Sequence, residues 1–158
     1  MTIEQIQEYT RKITNASPTE IIVILYDLAI KYLEEAEVAY KASNHEGYRK
    51  ECLNAQKVLG DLVGALNFDY EISLPLYRIY EYIEKEINNA VIKKDVTILA
   101  NCKRFLTSLQ DSFEKISKED KNGPMMDNAQ AVYAGLTYGK GTLNESVAAG
   151  TSSRGYSV

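Results

Sequence analysis

The fold is decided by residues 17–40, which read SPTEIIVILYDLAIKYLEEAEVAY. Ser17 can cap the free backbone amides of a helix, Pro18 suits the first helical position, and Glu20 can close a capping box. Apolar residues then recur at helical spacing and keep one face apolar over about five turns. The members of this stripe are Ile21, Ile22, Leu25, Leu28, Ala29, Tyr32, Leu33, Ala36, Ala39 and Tyr40. The segment therefore predicts a long helix with one buried face.

Three further helices are predicted by the same periodicity. One runs over about residues 46–66, one begins near Ser73 and Pro75, and one follows Asp95, a plausible N-cap. No segment shows the sustained apolar and polar alternation of a strand. Because short connections make neighbouring helices antiparallel, four such helices favour a bundle. We predict an all-α fold, an antiparallel four-helix bundle with a short N-terminal helical segment and a flexible C-terminal tail.

The bundle is predicted to occupy residues 17–119, with a different kind of segment on each side. Residues 1–16 carry a short apolar stripe that is too short for a stable isolated helix, so we expect a docking segment. Residues 120–158 are rich in Gly, Ala and Ser and predict a flexible tail. Its apolar stretch, residues 131–139, leaves three alternatives: a plug on the bundle, a contact for a second partner, or simple disorder.

Charge and hydropathy exclude several classes of partner. The chain has 158 residues, a net charge of −4 and a pI near 5.1, so it offers phosphates no concentrated basic face and predicts no nucleic-acid partner. No stretch approaches the roughly 18 apolar residues of a membrane span. The N-terminus lacks the layout of a signal peptide. We therefore expect a cytoplasmic protein without membrane insertion.

The residues that could carry chemistry are few. His45 is the only histidine, and Ala42 stands where the Glu-x-x-His pair of a di-iron bundle needs its glutamate. Cys52 and Cys102 lie on core faces and are expected to be small buried hydrophobic residues in a reducing cell. We predict no metal, no cofactor and no enzymatic activity.

The first half of the first predicted bundle helix is apolar on nearly every side. With the core stripe turned inward, Val23, Ile24 and Ile30 lie on other faces, and Tyr26 lies at the margin. A contiguous apolar patch of this kind marks an interaction surface. Alternatively, the N-terminal segment or the tail covers it, and both interpretations hold if the cover can be displaced.

Other candidate contact residues lie on the second and third bundle helices. Gly60 and Gly64 lie off the core stripe near Leu53, at a cost of roughly 1 kcal/mol each relative to Ala. Either a closely approaching backbone or ordinary tight packing in the bundle explains them. Tyr82 projects outward and Tyr77 lies at the edge of its stripe, and each is either a contact residue or an ordinary surface tyrosine.

Several of these stretches resemble the flagellar secretion chaperone family, FliS. The match comprises Tyr9, residues 13–20 (ITNASPTE) and residues 22–30 (IVILYDLAI), followed by shorter matches over 68–69, 79–83 and 113–116. It covers roughly residues 9–117. The sequence departs from the family pattern at Leu28, which stands where Gly is usual, at Phe113, which often is Trp, and in a shortened linker before the third helix.

The resemblance implies an antiparallel four-helix bundle that binds the disordered C-terminal segment of flagellin in the bacterial cytosol. The client becomes partly helical in apolar grooves, which prevents premature polymerisation and helps delivery to the flagellar export apparatus for type III secretion. It also implies that the N-terminal segment covers part of this surface until the client displaces it. The candidate partner-binding residues are Ile6, Tyr9, Ile13, Val23, Ile24, Tyr26, Asp27, Ile30, Leu53, Gly60, Gly64, Tyr77 and Tyr82.

Two other functions stay open. A helical-bundle adaptor for another export or regulatory protein has the same architecture and the same apolar surfaces. A bundle metalloenzyme is the third hypothesis, and the single histidine disfavours it.

Overall fold

Five helices make up the part of the chain that the structure, a computed structural model, describes, residues 1–120. They are α1 (Ile3–Thr14), α2 (Pro18–Lys41), α3 (His45–Gly64), α4 (Ser73–Lys93) and α5 (Thr97–Asp120). The predicted all-α fold is confirmed, with α2 to α5 as the four-helix bundle and α1 as the short N-terminal helical segment. The predicted tail beyond residue 120, with its apolar stretch 131–139, lies outside the described residues.

Side chains cap the starts of α1, α2 and α3, whereas α4 begins without a side-chain cap. At α2 the Glu20 amide donates to Ser17 Oγ (3.3 Å) and the Ser17 amide donates to the Glu20 carboxylate (3.3 Å), which is the predicted capping box. Before α5, Asp95 accepts hydrogen bonds from the amide and hydroxyl of Thr97. Those bonds lower the pKa of the Asp95 carboxyl.

The bundle is a ring in which each of the four helices packs against two others. α2 packs on α3 and α5, and α4 packs on the same two helices from the opposite side. The connections 42–44 and 94–96 are only three residues long. Ser43 and Lys94 take left-handed φ angles of 56° and 53° in them, which ends one helix and reverses the chain. Consecutive bundle helices are therefore antiparallel, as predicted.

The interior is apolar and contains a pair of tyrosines at its centre. The hydroxyls of Tyr26 and Tyr80 are hydrogen-bonded to each other between α2 and α4, and the Tyr26 ring packs edge-on against Phe113 at 5.3 Å. Tyr26 is fully buried, so its predicted place at the margin of the stripe is wrong. The physical reason is that α4 and α5 both reach its side of α2.

The two cysteines lie inside the bundle, on α3 and α5. Burial raises the pKa of Cys52 to about 12 and that of Cys102 to about 12. Both are therefore protonated near neutral pH and pack as small hydrophobic side chains, in line with the sequence prediction.

Candidate partner-binding surface

The helix α1 lies on the outside of α2 and, of the five helices in residues 1–120, is the one outside the ring. Among the described helices, its backbone approaches that of α2 alone. The connecting residues 15–17 turn the chain back on itself. The Tyr9 hydroxyl donates to the Asp27 carboxylate at 2.5 Å, which fixes how the two antiparallel helices are aligned. This alignment directs Ile13 toward the Val23 end and Ile6 toward the Ile30 end of the same face.

On the outer side of α2, Val23, Ile24 and Ile30 flank Asp27, and we call these four residues the covered face. The helix α1 contacts this face at Asp27, and Ile30 also lines a cleft beside α5. All four side chains are half-buried. On α1, Ile6 is 8% exposed and Ile13 is fully buried. The apolar patch seen in the sequence is thus matched by an apolar stripe of the N-terminal helix. Of the two covers that the sequence offered, the N-terminal segment lies on this face, and the tail lies outside the described residues.

The hydrogen bond from Tyr9 to Asp27 is a polar contact between the side chains of α1 and α2. Burial, and then the hydrogen bond to the Asp27 carboxylate, raise the pKa of Tyr9 above its usual range. The hydroxyl therefore keeps its proton and acts as the donor at physiological pH. On its outer side, Lys12 lies 5.4 Å from the centre of the Tyr9 ring and forms an ion pair with Glu8 at 3.0 Å.

A second apolar surface, which we call the open face, follows the seam between α3 and α4. The seam is held by Gln56, whose amide donates to the Glu84 carbonyl oxygen (3.2 Å) and to Asn88 Oδ1 (3.3 Å). Several apolar side chains along the seam are exposed to solvent. The open face comprises Leu53, Gly60, Gly64, Phe68, Tyr77 and Ile92.

The exposed side chains of the open face lie at both ends of the seam. Leu53 is 50% exposed and Ile92 is 76% exposed, and both line a cleft of about 800 Å³ beside the start of α3. At the other end Phe68 is 58% exposed and packs edge-on against Tyr77, with ring centres 5.8 Å apart. The face therefore extends over most of the length of α3, about 30 Å for its 20 residues.

The two glycines of α3 have no close neighbour. A Cβ atom placed on Gly60 or Gly64 meets nothing within 4 Å, and both positions are exposed. The explanation by ordinary tight packing inside the bundle is therefore wrong, because the side of α3 on which they lie faces solvent. Close approach by a partner's backbone stays a prediction.

Tyr82 lies on the other side of α4, away from the open face. It is exposed and packs edge-on against Phe105 of α5, with ring centres 5.5 Å apart. Helical periodicity puts Phe105 near the core stripe of α5, yet its side chain is exposed, because Cys102 and Leu106 fill the inward positions beside it.

Two exposed residues of the open face were not among the predicted contact residues. Phe68 follows α3 in a connection, where no periodicity applies, and only its place in the family match pointed to it. Ile92 follows the half-buried Val91 near the end of α4. The sequence signal that could have identified it was an apolar residue off the core stripe.

Neither a membrane-spanning helix nor a group of metal ligands is found among residues 1–120. None of the helices there has both the length and the hydropathy needed to cross a membrane. The same residues bring no three His, Cys, Asp or Glu side chains together in a group suited to a metal ion.

Comparison with known proteins identifies the family of the chain. The family model described as "Flagellar protein FliS" matches residues 2–120, which includes α1 and the whole bundle. The chain is also similar to the flagellar secretion chaperone FliS of Bacillus subtilis (strain 168), with 25% identity over 114 residues. That alignment covers 70% of this chain and 86% of the relative. The chain belongs to the FliS family of flagellar proteins, a family of secretion chaperones and not of enzymes.

Proposed function

We propose that this protein acts in the bacterial cytosol as an export chaperone that binds the C-terminal segment of flagellin. It holds the segment until flagellin reaches the export apparatus, and masking the segment prevents premature polymerisation. Binding is stoichiometric and needs no cofactor. The proposal joins the family membership to the two apolar faces on the outside of the bundle.

The observation that carries this proposal is the covered face. An apolar patch on one bundle helix lies beneath an amphipathic helix that touches that helix alone. An amphipathic client helix fits the same groove by the same contacts, with Ile6 and Ile13 as the residues that it replaces. In helix-in-groove recognition, apolar side chains at helical spacing on one partner pack into an apolar groove on the other.

The open face extends the surface that one long client can cover. A disordered client loses entropy when it becomes ordered, and it recovers this cost by burying a large area. Leu53, Phe68 and Ile92 offer apolar area on a side of the bundle that no described helix covers. A client that follows both faces wraps the bundle, and its affinity then depends on many modest contacts.

Titration calorimetry with a peptide of the C-terminal segment of flagellin tests the proposal. We expect an equimolar complex at micromolar concentration. Replacing Val23 and Ile24 together by Glu puts two charges into the covered face and should weaken binding at least tenfold, with helicity retained. Val38→Glu is the matched control, because Val38 lies on the same helix, is 62% exposed and lies beyond the end of α1.

The result decides between three conclusions. If the wild-type chain gives no complex at micromolar concentration, the proposed function is wrong. If the double variant unfolds, Val23 and Ile24 belong to the core. If the double variant and the Val38 control bind equally well, the client does not use the covered face.

An adaptor for another export or regulatory protein is the second candidate, and the Tyr82–Phe105 pair favours it. The two aromatic rings are exposed on a side of the bundle that belongs to neither face. Exposed aromatic side chains are common anchors in protein interfaces. Affinity purification from the flagellated source bacterium separates the candidates, since flagellin is absent from the eluate if the protein is only an adaptor.

A further inference from the structure

Asp27 is the one acidic residue within the covered face. Val23, Ile24 and Ile30 surround it on α2, and α1 covers it. Its neighbour one turn on, Lys31, forms ion pairs with Glu35 (3.4 Å) and Glu34 (3.9 Å). The group that meets the Asp27 carboxylate from α1 is the Tyr9 hydroxyl.

A carboxylate in this position restricts what can lie over it. Covering it with an apolar side chain removes water without replacing the lost hydrogen bonds, which is strongly unfavourable. A hydrogen bond donated to an ionised carboxylate is about twice as strong as one between neutral groups. Tyr9 meets this requirement in the closed state, because its aromatic ring packs with the apolar stripe while its hydroxyl reaches the charge.

We propose that Asp27 selects the helix that replaces α1 by requiring a hydrogen-bond donor at the position of the Tyr9 hydroxyl. The inference rests on the proposed function and states the chemistry of the client helix. That helix presents apolar side chains in place of Ile6 and Ile13, with a donor at the intermediate position. Tyr, Ser, Thr, Asn, Gln, Lys and Arg supply such a donor, and a wholly apolar helix does not.

The wild-type background hides this effect, since α1 and the client compete for the same carboxylate. A change at Asp27 weakens the closed and the client-bound states together, and the two losses offset each other. Tyr9→Phe separates them, because it keeps the ring and removes the donor from α1. In that background, a second change at Asp27 removes the client's contact and also relieves the unpaired carboxylate beneath α1, which favours closure. Hydrogen exchange of residues 3–14 in both variants measures the change in closure. A loss of affinity no larger than that change overturns the inference.

Titration calorimetry on the full chain, with the peptide of the C-terminal segment of flagellin as the probe, gives the test. Tyr9→Phe should tighten binding about tenfold, since α1 no longer satisfies Asp27. Adding Asp27→Leu should then weaken binding about tenfold or more relative to Tyr9→Phe alone. Adding Asp27→Asn keeps the shape and one acceptor oxygen, and should weaken binding several-fold.

Glu34→Leu in the Tyr9→Phe background is the matched control. Glu34 is a carboxylate on the same helix that lies near enough to act on Tyr9 electrostatically, so its removal changes the net charge equally. We expect its effect on affinity to be less than threefold, as for an exposed charge.

The outcomes separate this inference from the function on which it rests. Unchanged or tighter binding after Asp27→Leu, compared with Tyr9→Phe alone, overturns the inference and leaves the proposed function standing. An equal loss with Glu34→Leu also overturns it, because general charge then explains the effect. If circular dichroism shows that the Asp27→Leu chain does not fold, the Asn variant decides by the same criterion. No binding by the wild type and Tyr9→Phe overturns both proposals.

Discussion

The covered face of α2 and the open face along α3 and α4 differ in what shields their apolar side chains from water. Val23, Ile24 and Ile30 are half-buried beneath a helix of the same chain. On the open face, Leu53 and Ile92 expose half of their side-chain surface or more. Asp27 is the one polar residue of the covered face, whereas several glycines and polar side chains interrupt the open one.

This difference follows from the tendency of exposed apolar surface to cause association. A large contiguous apolar patch promotes unwanted association, so a patch of that kind needs a cover. The open face stays acceptable without one because Gln56 and Asn88 cross it and Gly60 and Gly64 offer no side chain. A partner on the open face meets no competing helix among residues 1–120. A partner that binds the covered face would do so in proportion to the fraction of time that α1 is detached.

The largest expected effect is the detachment of α1 after its two buried isoleucines are truncated. The covered face would then be exposed to solvent like the open face. Ile6→Ala with Ile13→Ala deletes two buried side chains, and each such loss typically costs about 2–5 kcal/mol. We expect α1 to detach while the bundle stays folded. Hydrogen exchange should then become fast over residues 3–14 and stay slow over the buried turns of α2 to α5.

Ile3→Ala is the control for this experiment, because Ile3 is 70% exposed and its loss should leave α1 protected. A single cooperative loss of protection in all five helices would contradict the expectation. It would mean that α1 is part of the bundle's cooperative unit and that the covered face never opens by itself.

The second effect concerns the open face. Leu53→Asp with Ile92→Asp places two charges on exposed positions, so the free energy of unfolding should change by no more than about 0.5 kcal/mol per site. Binding of the flagellin peptide should weaken about tenfold, while protection of α1 stays unchanged. Unaltered affinity, measured by calorimetry beside a Val38→Asp control, would show that the client does not reach the open face.

The smallest expected effect is a change in stability at one backbone position of the open face. Gly60→Ala should raise the free energy of unfolding by about 0.5–1 kcal/mol, because Ala favours the helix and its Cβ meets no atom. If a client's backbone packs there, peptide affinity falls although the protein is more stable. Urea denaturation and calorimetry on the same variant measure the two effects.

Gly47→Ala is the matched comparison in the same helix. A Cβ there would lie 2.5 Å from the side-chain nitrogen of Asn44, the residue that caps α3. We therefore expect a smaller gain in stability than at Gly60, or a loss. An equal gain at both positions would show that the cap adjusts freely.

The bundle was predictable because its inner positions obey one period. Leu25, Leu59 and Ile83 are fully buried, and each belongs to an apolar stripe that repeats every 3.6 residues along its own helix. The hydrogen bonds accepted by Ser17 and Asp95 mark where two helices begin. Periodicity fails at the margins of a stripe. Tyr26 and Phe105 both lie there, and the position of neighbouring helices buried the first and exposed the second.

The candidate site was predictable in part for the same reason. Residues off the stripe identified the apolar patch that holds Val23 and Ile24, and the N-terminal stripe identified its cover. The sequence did not show the bond between Tyr9 and Asp27, which joins residues 18 positions apart on different helices. It also did not show what surrounds Gly60, since spacing within one helix gives no information about what lies beside it.

The connection between α1 and α2 has a consequence for how the protein responds to a client. Residues 15–17 form a very short tether, so the released helix stays at an effective local concentration that is millimolar for a short flexible link. To stay bound, a client must compete with α1 at that local concentration. On the proposed function, once export pulls the client away, α1 would rebind without having to search through solution, and the chaperone would be ready for the next client without an external factor.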